Sequence, residues 1–219
     1  MTTVRLWFTK TGEAAYISLL DLQRVMQRAL KRSGLPVWYT LGFNPHIYMT
    51  FAAPLSLGQE SLVESLDFKS EDDHYDWHAA QERLAACLPK GIDLVKLEPA
   101  KMDPSKIAFA RYELQVEKQH AALAIEAFDA YNAAPQAVVV KEGKRGKKKE
   151  VDLKQYVPVL DYKNRDGGLV AKLILPAGSV FTVNPALVLG WLCGSSRLEP
   201  YQVRILRTEL LTGEREKFC

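Results

Sequence analysis

The chain has few cysteines and no long apolar run. Its three cysteines, Cys87, Cys193 and Cys219, are widely separated and lack CxxC spacing, which argues against a disulfide framework, a zinc site or an iron–sulfur cluster. The first ten residues lack the apolar core of a signal peptide, and no apolar stretch approaches the roughly 18 residues of a membrane-spanning helix. These absences predict a protein of the reducing cytoplasm with no membrane partner.

The motifs of cofactor and nucleotide chemistry are also missing. The sequence contains no Walker loop, dinucleotide-binding fingerprint, nucleophile elbow or radical-SAM cysteine triad. His74 and His78 lie four residues apart among aspartates, a spacing that metal sites on helices use, but no third ligand is evident. We therefore expect no metal and no cofactor, and we favour a protein that is not an enzyme.

Charge of one sign is not in strong excess. The chain has 29 lysines and arginines against 26 acids, a formal net charge of +3. The molecule as a whole therefore has no field that demands a polyanionic partner. Any nucleic acid must be recognised by local clusters of cations.

The first half of the chain alternates segments of strand-like and helix-like hydrophobic periodicity. Ser18 followed by Asp21 predicts a helix start, and Gly34 predicts its end. The predicted order is β-α-β-β-α-β, with strands at 4–9, 35–40, 62–68 and 92–97, a helix up to Gly34, and a second helix that starts at Asp72 or Asp73 and stops before Pro89.

The second half begins the same order again. Strands are predicted at 111–117, 137–140, 150–153, 157–160, 169–175 and 201–210, with helices at 120–131 and after Asn184. In the split βαβ pattern, right-handed crossovers place both helices on one sheet face and leave the other face free. We predict an α+β protein of two tandem ferredoxin-like (βαββαβ) units with antiparallel sheets, spanning 1–98 and 109–219 and joined by a linker at 99–108.

The segment 41–61, LGFNPHIYMTFAAPLSLGQES, is the most specific stretch of the first unit. It is longer than a simple connection between strands needs, and long connections often carry function. His46 is the candidate catalytic residue, as a general acid or base, and with Asn44 it is also a candidate phosphate contact. Alternatively, Asn44 and His46 only hydrogen-bond the loop to itself. The residues that we expect to shape the loop are Gly42, Phe43, Pro45, Pro54 and Gly58.

Cations form two local clusters. Arg24, Arg28, Lys31 and Arg32 lie three and four residues apart and should share one helix face. The segment 141–149, KEGKRGKKK, predicts a basic hairpin at 141–150 whose tip reaches a phosphate backbone. Either cluster is alternatively a solvated surface. The candidate RNA contacts of the second unit are Lys144, Arg145, Lys147, Lys148, Lys149, Arg204 and Arg207.

Several motifs resemble those of the bacterial radical-SAM-linked proteins, a domain family of unknown function. They are YISLLD at 16–21, GFNPH at 42–46, Leu57-Gly58, and the closing RTEL at 207–210. The family pattern has histidine after the serine, where this chain has Leu19. The resemblance implies a companion of a radical-SAM protein, encoded beside it or fused to it, in a setting of ribonuclease and ribosome genes.

These patterns support three functional hypotheses. The first is an accessory protein that binds or presents RNA, either tRNA or rRNA, to a radical-SAM partner. The second is a metal-independent RNA-processing or RNA-modifying enzyme that uses His46. The third is a pure protein-interaction module that docks its partner on the free sheet face.

Overall fold

A computed structural model of the protein describes residues 1–142 and 148–219. The backbone divides into two compact units, residues 1–107 with 217–219 and residues 108–216. Both units combine helices with mostly antiparallel strands, which confirms the predicted α+β class. None of the helices in these described ranges is long and apolar enough to cross a membrane.

The first unit follows the order β-α-β-β-α-β. Its strands pair antiparallel in the order β4-β1-β3-β2, so the first strand lies inside the sheet. The elements are β1 Thr2–Lys10, α1 Leu19–Arg32, β2 Met49–Phe51, β3 Glu60–Ser70, α2 Trp77–Ala85 and β4 Leu94–Pro99.

Alternation along β1 determines which sheet face forms the core. Val4, Leu6 and Phe8 are fully buried together with residues of α1 and α2, because successive side chains of a strand point to opposite faces. The helix α1 starts as predicted, since the Ser18 hydroxyl accepts a hydrogen bond from the backbone N–H of Asp21 at 3.1 Å.

The other face of this sheet is not free, contrary to our expectation. The guanidinium of Arg5, which is 1% exposed, lies 2.7 and 2.8 Å from the two carboxylate oxygens of Asp67. It also donates to the carbonyls of Met102 and Cys219 at 2.7 and 3.1 Å and lies 4.5 Å from the ring centroid of Phe218. Segments distant in sequence therefore cover this face at Arg5.

The segment 41–61 is not one continuous loop. It includes β2, which pairs with residues 66–68 of β3, and the first residues of β3 itself. The predicted strand at 35–40 is wrong, because only Val37 and Tyr39 form isolated bridges. These bridges lead into a hairpin that we call the GFNPH hairpin, residues 38–48.

The helix α2 starts later than predicted. Asp76 caps it, since its carboxylate accepts hydrogen bonds from the backbone N–H groups of His78 and Ala79, both at 3.0 Å. Asp72 and Asp73 have other partners, the backbone N–H of His74 and the hydroxyl of Thr2. Acidic residues before a helix mark its start only approximately.

The second unit has the strand order β10-β5-β9-β8, with β6 and β7 paired as a separate hairpin. Its elements are β5 Ile107–Val116, α3 Ala121–Ala133, β6 Val138–Glu142, β7 Lys148–Asp152, β8 Asp161–Arg165, β9 Gly168–Pro176, α4 Pro185–Gly194 and β10 Val203–Thr212. Apart from the added hairpin, the order of elements and of paired strands repeats that of the first unit.

The strand predicted at 157–160 is wrong, because other groups hold its backbone. The Asn132 side chain donates to the carbonyl of Leu160 at 3.1 Å and accepts from its N–H at 2.8 Å. The N–H of Val157 donates to Leu153. With these groups occupied, the segment cannot join a ladder, and the strand forms instead at β8.

Candidate nucleic-acid interface

The GFNPH hairpin carries His46 at an exposed tip. Its stem is closed by the bridge between Tyr39 and Ile47 and by a hydrogen bond of 2.8 Å from the N–H of Thr40 to the carbonyl of His46. Gly42 has a φ of 122°, a conformation that residues with a side chain rarely adopt. All residues from Leu41 to His46 are exposed, so the turn presents its side chains to solvent.

Two hydrogen bonds orient the ring of His46. Its Nδ1 lies 3.1 Å from the carbonyl oxygen of Asn44 and 3.1 Å from the hydroxyl oxygen of Thr40. A carbonyl only accepts, so Nδ1 carries the proton in this arrangement and Nε2 is the ring's acceptor. The backbone N–H of His46 also donates to the Thr40 hydroxyl at 3.2 Å. The hairpin therefore holds the imidazole in one tautomer, and Asn44 contributes through its backbone.

Aromatic side chains dominate the hairpin. Trp38 and Tyr48 face each other across the stem with ring centroids 6.0 Å apart. The ammonium of Lys69 lies 5.4 and 5.0 Å from these two centroids, within the range of a cation–π interaction. Leu41 and Phe43 are almost completely exposed at the tip. Phe43 thus shapes no core contact of the loop, and its ring is open to a binding partner.

The predicted cations of α1 do share one exposed face. Arg24 lies 2.9 Å from the Asp21 carboxylate, and the hydrogen bonds that Ser18 and Arg24 donate hold the pKa of Asp21 below its usual value. Arg28, Lys31 and Arg32 are exposed, and no ion pair of theirs is found within residues 1–142 and 148–219. Their three positive charges are therefore available to an anionic partner.

The structure describes only some of the candidate cations of the second unit. Lys144, Arg145 and Lys147 lie outside the described residues, and only the backbone of Lys148 is described. Lys149 is exposed on β7. Arg204 is exposed on β10 and donates from Nε to the side-chain oxygen of Gln115 at 3.0 Å. Arg207 is 2% exposed, so it is not available to RNA.

Gly58 and the start of the YISLLD motif lie at the opposite end of β3 from the GFNPH hairpin. The N–H of Gly58 donates to the carbonyl of Ala15 at 2.9 Å, next to the start of β3, whereas Trp38 pairs with Lys69 near its end. Ser61 and Lys69 are eight residues apart on β3, which is about 26 Å along a strand. The contacts that hold the YISLLD and GFNPH motifs to β3 are therefore far apart. Pro54 is exposed in the segment between β2 and β3.

Sequence reasoning missed Lys69. The sequence does place Trp38 and Tyr48 symmetrically around the turn, which predicts a hairpin. It does not indicate that Lys69 of β3 lies against the two rings. Among the described residues no cluster of histidines, cysteines or acids suits a metal ion, and the three cysteines are free thiols.

Comparison with known proteins places the chain in a family. No curated protein matches it. The model of a family described as an uncharacterized protein conserved in bacteria (DUF2344) matches residues 3–185, which include the GFNPH hairpin and α1. The chain therefore belongs to this bacterial protein family.

Proposed function

We propose that the protein is a non-catalytic RNA-binding accessory protein that presents a tRNA or rRNA to a radical-SAM partner in the cytoplasm. The observation that carries the proposal is that exposed cations on α1 are followed along the chain by an exposed aromatic ring in the GFNPH hairpin. Arg28, Lys31 and Arg32 are exposed without an ion pair among the described residues, and they are followed by the exposed ring of Phe43. Proteins that bind single-stranded RNA combine cations that follow the backbone with aromatic rings on which bases stack.

Two further observations support this proposal. The strand orders β4-β1-β3-β2 and β10-β5-β9-β8 favour tandem ferredoxin-like units as the scaffold. The resemblance of 16–21, 42–46 and 207–210 to radical-SAM-linked proteins supports the choice of partner, with which this protein should co-purify.

Charge reversal on α1 tests RNA binding directly. The variant Arg28→Glu/Lys31→Glu should bind labelled tRNA or rRNA fragments more weakly, because it loses two phosphate contacts. Lys90→Glu reverses an exposed lysine outside this surface and is the matched control. Equal affinity of the double variant and the control would remove α1 from the interface.

An RNA-processing enzyme is the second candidate, favoured by the fixed ring of His46. With Nδ1 bound to the Asn44 carbonyl, Nε2 is placed to accept a proton. This candidate predicts cleavage or modification of an offered RNA that His46→Ala abolishes. The accessory hypothesis instead predicts no turnover by either protein.

A further inference from the structure

The second unit contains a polar cleft of about 760 Å³ at one end of its sheet. Its walls come from the end of β5, the turn between β8 and β9, the start of β10, and the segment that leads into α3. In this turn Gly168 packs so closely that an added Cβ would lie 2.4 Å from the carbonyl oxygen of Val116. The backbone therefore closes one wall tightly, and the volume is in the range of small-ligand sites.

A buried carboxylate orients the two arginines of the cleft. Glu113 accepts hydrogen bonds from Arg165 at 3.1 Å and from the side-chain amide of Gln115 at 2.7 Å. The oxygen of that amide in turn accepts from Nε of Arg204 at 3.0 Å. Both guanidinium groups are thus held at defined positions, which reduces the entropy lost when they bind a ligand.

His120 is oriented in the same way. The side-chain oxygen of Gln202 accepts from the N–H of Glu199 at 2.9 Å, which turns the amide nitrogen of Gln202 toward Nδ1 of His120 at 3.1 Å. Since that amide donates, Nδ1 accepts and Nε2 carries the proton. The cleft therefore has an imidazole donor as well as two arginines.

The charge of the cleft favours recognition of one small group over general attraction of a polyanion. Its lining includes the cations Lys118, Arg165 and Arg204 and the acids Glu117 and Asp166, and Glu113 lies behind them. Because these charges nearly cancel, the cleft has no strong net field, unlike the exposed face of α1. Recognition must depend on individual donors and on stacking.

Tyr201 supplies the stacking surface. It lines the cleft and is 83% exposed, so its ring is open for contact with a flat ligand. Lys118 also lines the cleft, and its side chain lies against Gly167, where an added Cβ would approach the lysine Cδ to 3.1 Å. The ammonium of Lys118 forms no ion pair within residues 1–142 and 148–219.

We infer that this cleft binds one unpaired nucleotide of an RNA, with the base on Tyr201 and the phosphate at Lys118. This inference rests on the proposed RNA binding and extends it. In proteins that recognise single-stranded RNA, phosphate contacts position the strand and base contacts specify it. The cations of α1 would position the strand, and this cleft would recognise the base.

Titration of the full chain with a single-stranded RNA 12-mer and with the four nucleoside 5′-monophosphates tests the inference. Tyr201→Ala should weaken binding of the 12-mer by about 5- to 150-fold, corresponding to the loss of one stacked base. Lys118→Gln should also weaken it. Tyr16→Ala truncates another exposed tyrosine and should leave the affinity unchanged. Because Tyr201 is exposed, its truncation should not alter the thermal unfolding midpoint.

The outcomes separate the inference from the proposed function. If the wild type binds the 12-mer and Tyr201→Ala binds it as tightly as Tyr16→Ala, the cleft assignment is overturned while RNA binding stands. If only monophosphates bind, and Tyr201→Ala abolishes that binding, the proposed function fails and the cleft remains a nucleotide site. Binding of neither probe overturns both.

Discussion

The Nδ1 atom of His46 lies 3.1 Å from the carbonyl oxygen of Asn44. This contact defines the histidine tautomer within the GFNPH hairpin and leaves Nε2 as the acceptor of the ring. A hairpin tip that fixes an imidazole within an exposed turn is suited to contact a ligand at the surface.

The tautomer of His46 is itself testable. In a long-range ¹H–¹⁵N spectrum of the neutral imidazole, Nδ1 should show the shift of a protonated nitrogen and Nε2 that of an unprotonated one. Thr40→Val, which removes the hydroxyl partner of Nδ1 and keeps the Asn44 carbonyl, should increase the population of the other tautomer. An Nε2-protonated ring in the wild type would contradict the assigned hydrogen bonds.

Phe43 should contribute to RNA affinity and not to stability. Its ring is completely exposed, so Phe43→Ala should leave the thermal midpoint unchanged while it weakens binding of single-stranded RNA by about 1–3 kcal/mol, the value of one stacked base. Val180→Ala truncates a similarly exposed apolar side chain and should affect neither. Unchanged affinity in Phe43→Ala would show that the hairpin tip does not stack on a base.

The buried ion pair between Arg5 and Asp67 should dominate the polar contribution to stability of the first unit. Asp67→Ala leaves a guanidinium that is 1% exposed without its carboxylate, which costs about 3–5 kcal/mol. Lys101→Ala, which breaks the exposed contact with Glu98, should cost no more than about 0.5 kcal/mol. Urea unfolding measures both, and equal small losses would show that Arg5 is solvated.

For the first unit, the sequence predicted β1 and the start of α1 better than the long-range contacts of their side chains. The alternation of Val4, Leu6 and Phe8 predicted a strand that faces the core. Ser18 predicted the start of α1. The same alternation placed Arg5 on the other face, where we expected solvent. Its partners Met102, Phe218 and Cys219 are distant along the chain, and no local pattern indicates such contacts.

Local competition explains the misplaced strand in the second unit. Residues 157–160 have the apolar character of a strand, but Asn132 occupies both backbone groups of Leu160. The actual strand β8, with the sequence DYKNR, is mostly exposed and therefore lacks a hydrophobic period. The cleft near Tyr201 could not be predicted from the sequence either, because its walls come from segments that are separate along the chain.

Tyr131 should make stability depend on alkaline pH. Burial, together with the nearby Asp152 carboxylate, raises the pKa of the Tyr131 hydroxyl, which donates to the carbonyl of Val157 at 2.7 Å. Above the ordinary tyrosine pKa of about 10, the unfolded chain loses this proton and the folded chain keeps it. Its contribution to the free energy of unfolding is therefore complete below that pH and falls as the pH rises.

The matched variant for this effect is Tyr131→Phe. It removes the hydrogen bond and should lower the free energy of unfolding by about 1 kcal/mol near neutral pH. The difference from the wild type should shrink as the pH is raised past about 10, as measured by urea unfolding at several pH values. A difference that does not change with pH would show that the hydroxyl titrates normally.

The central claim, that α1 and the GFNPH hairpin bind RNA, is tested most directly by the salt dependence of tRNA or rRNA-fragment binding. The logarithm of the wild-type association constant should fall linearly with the logarithm of salt concentration, and Arg28→Glu/Lys31→Glu should flatten that slope by about 1–2. Lys90→Glu should keep the wild-type slope. Absence of salt-sensitive binding, or the same slope in all three proteins, would contradict the claim.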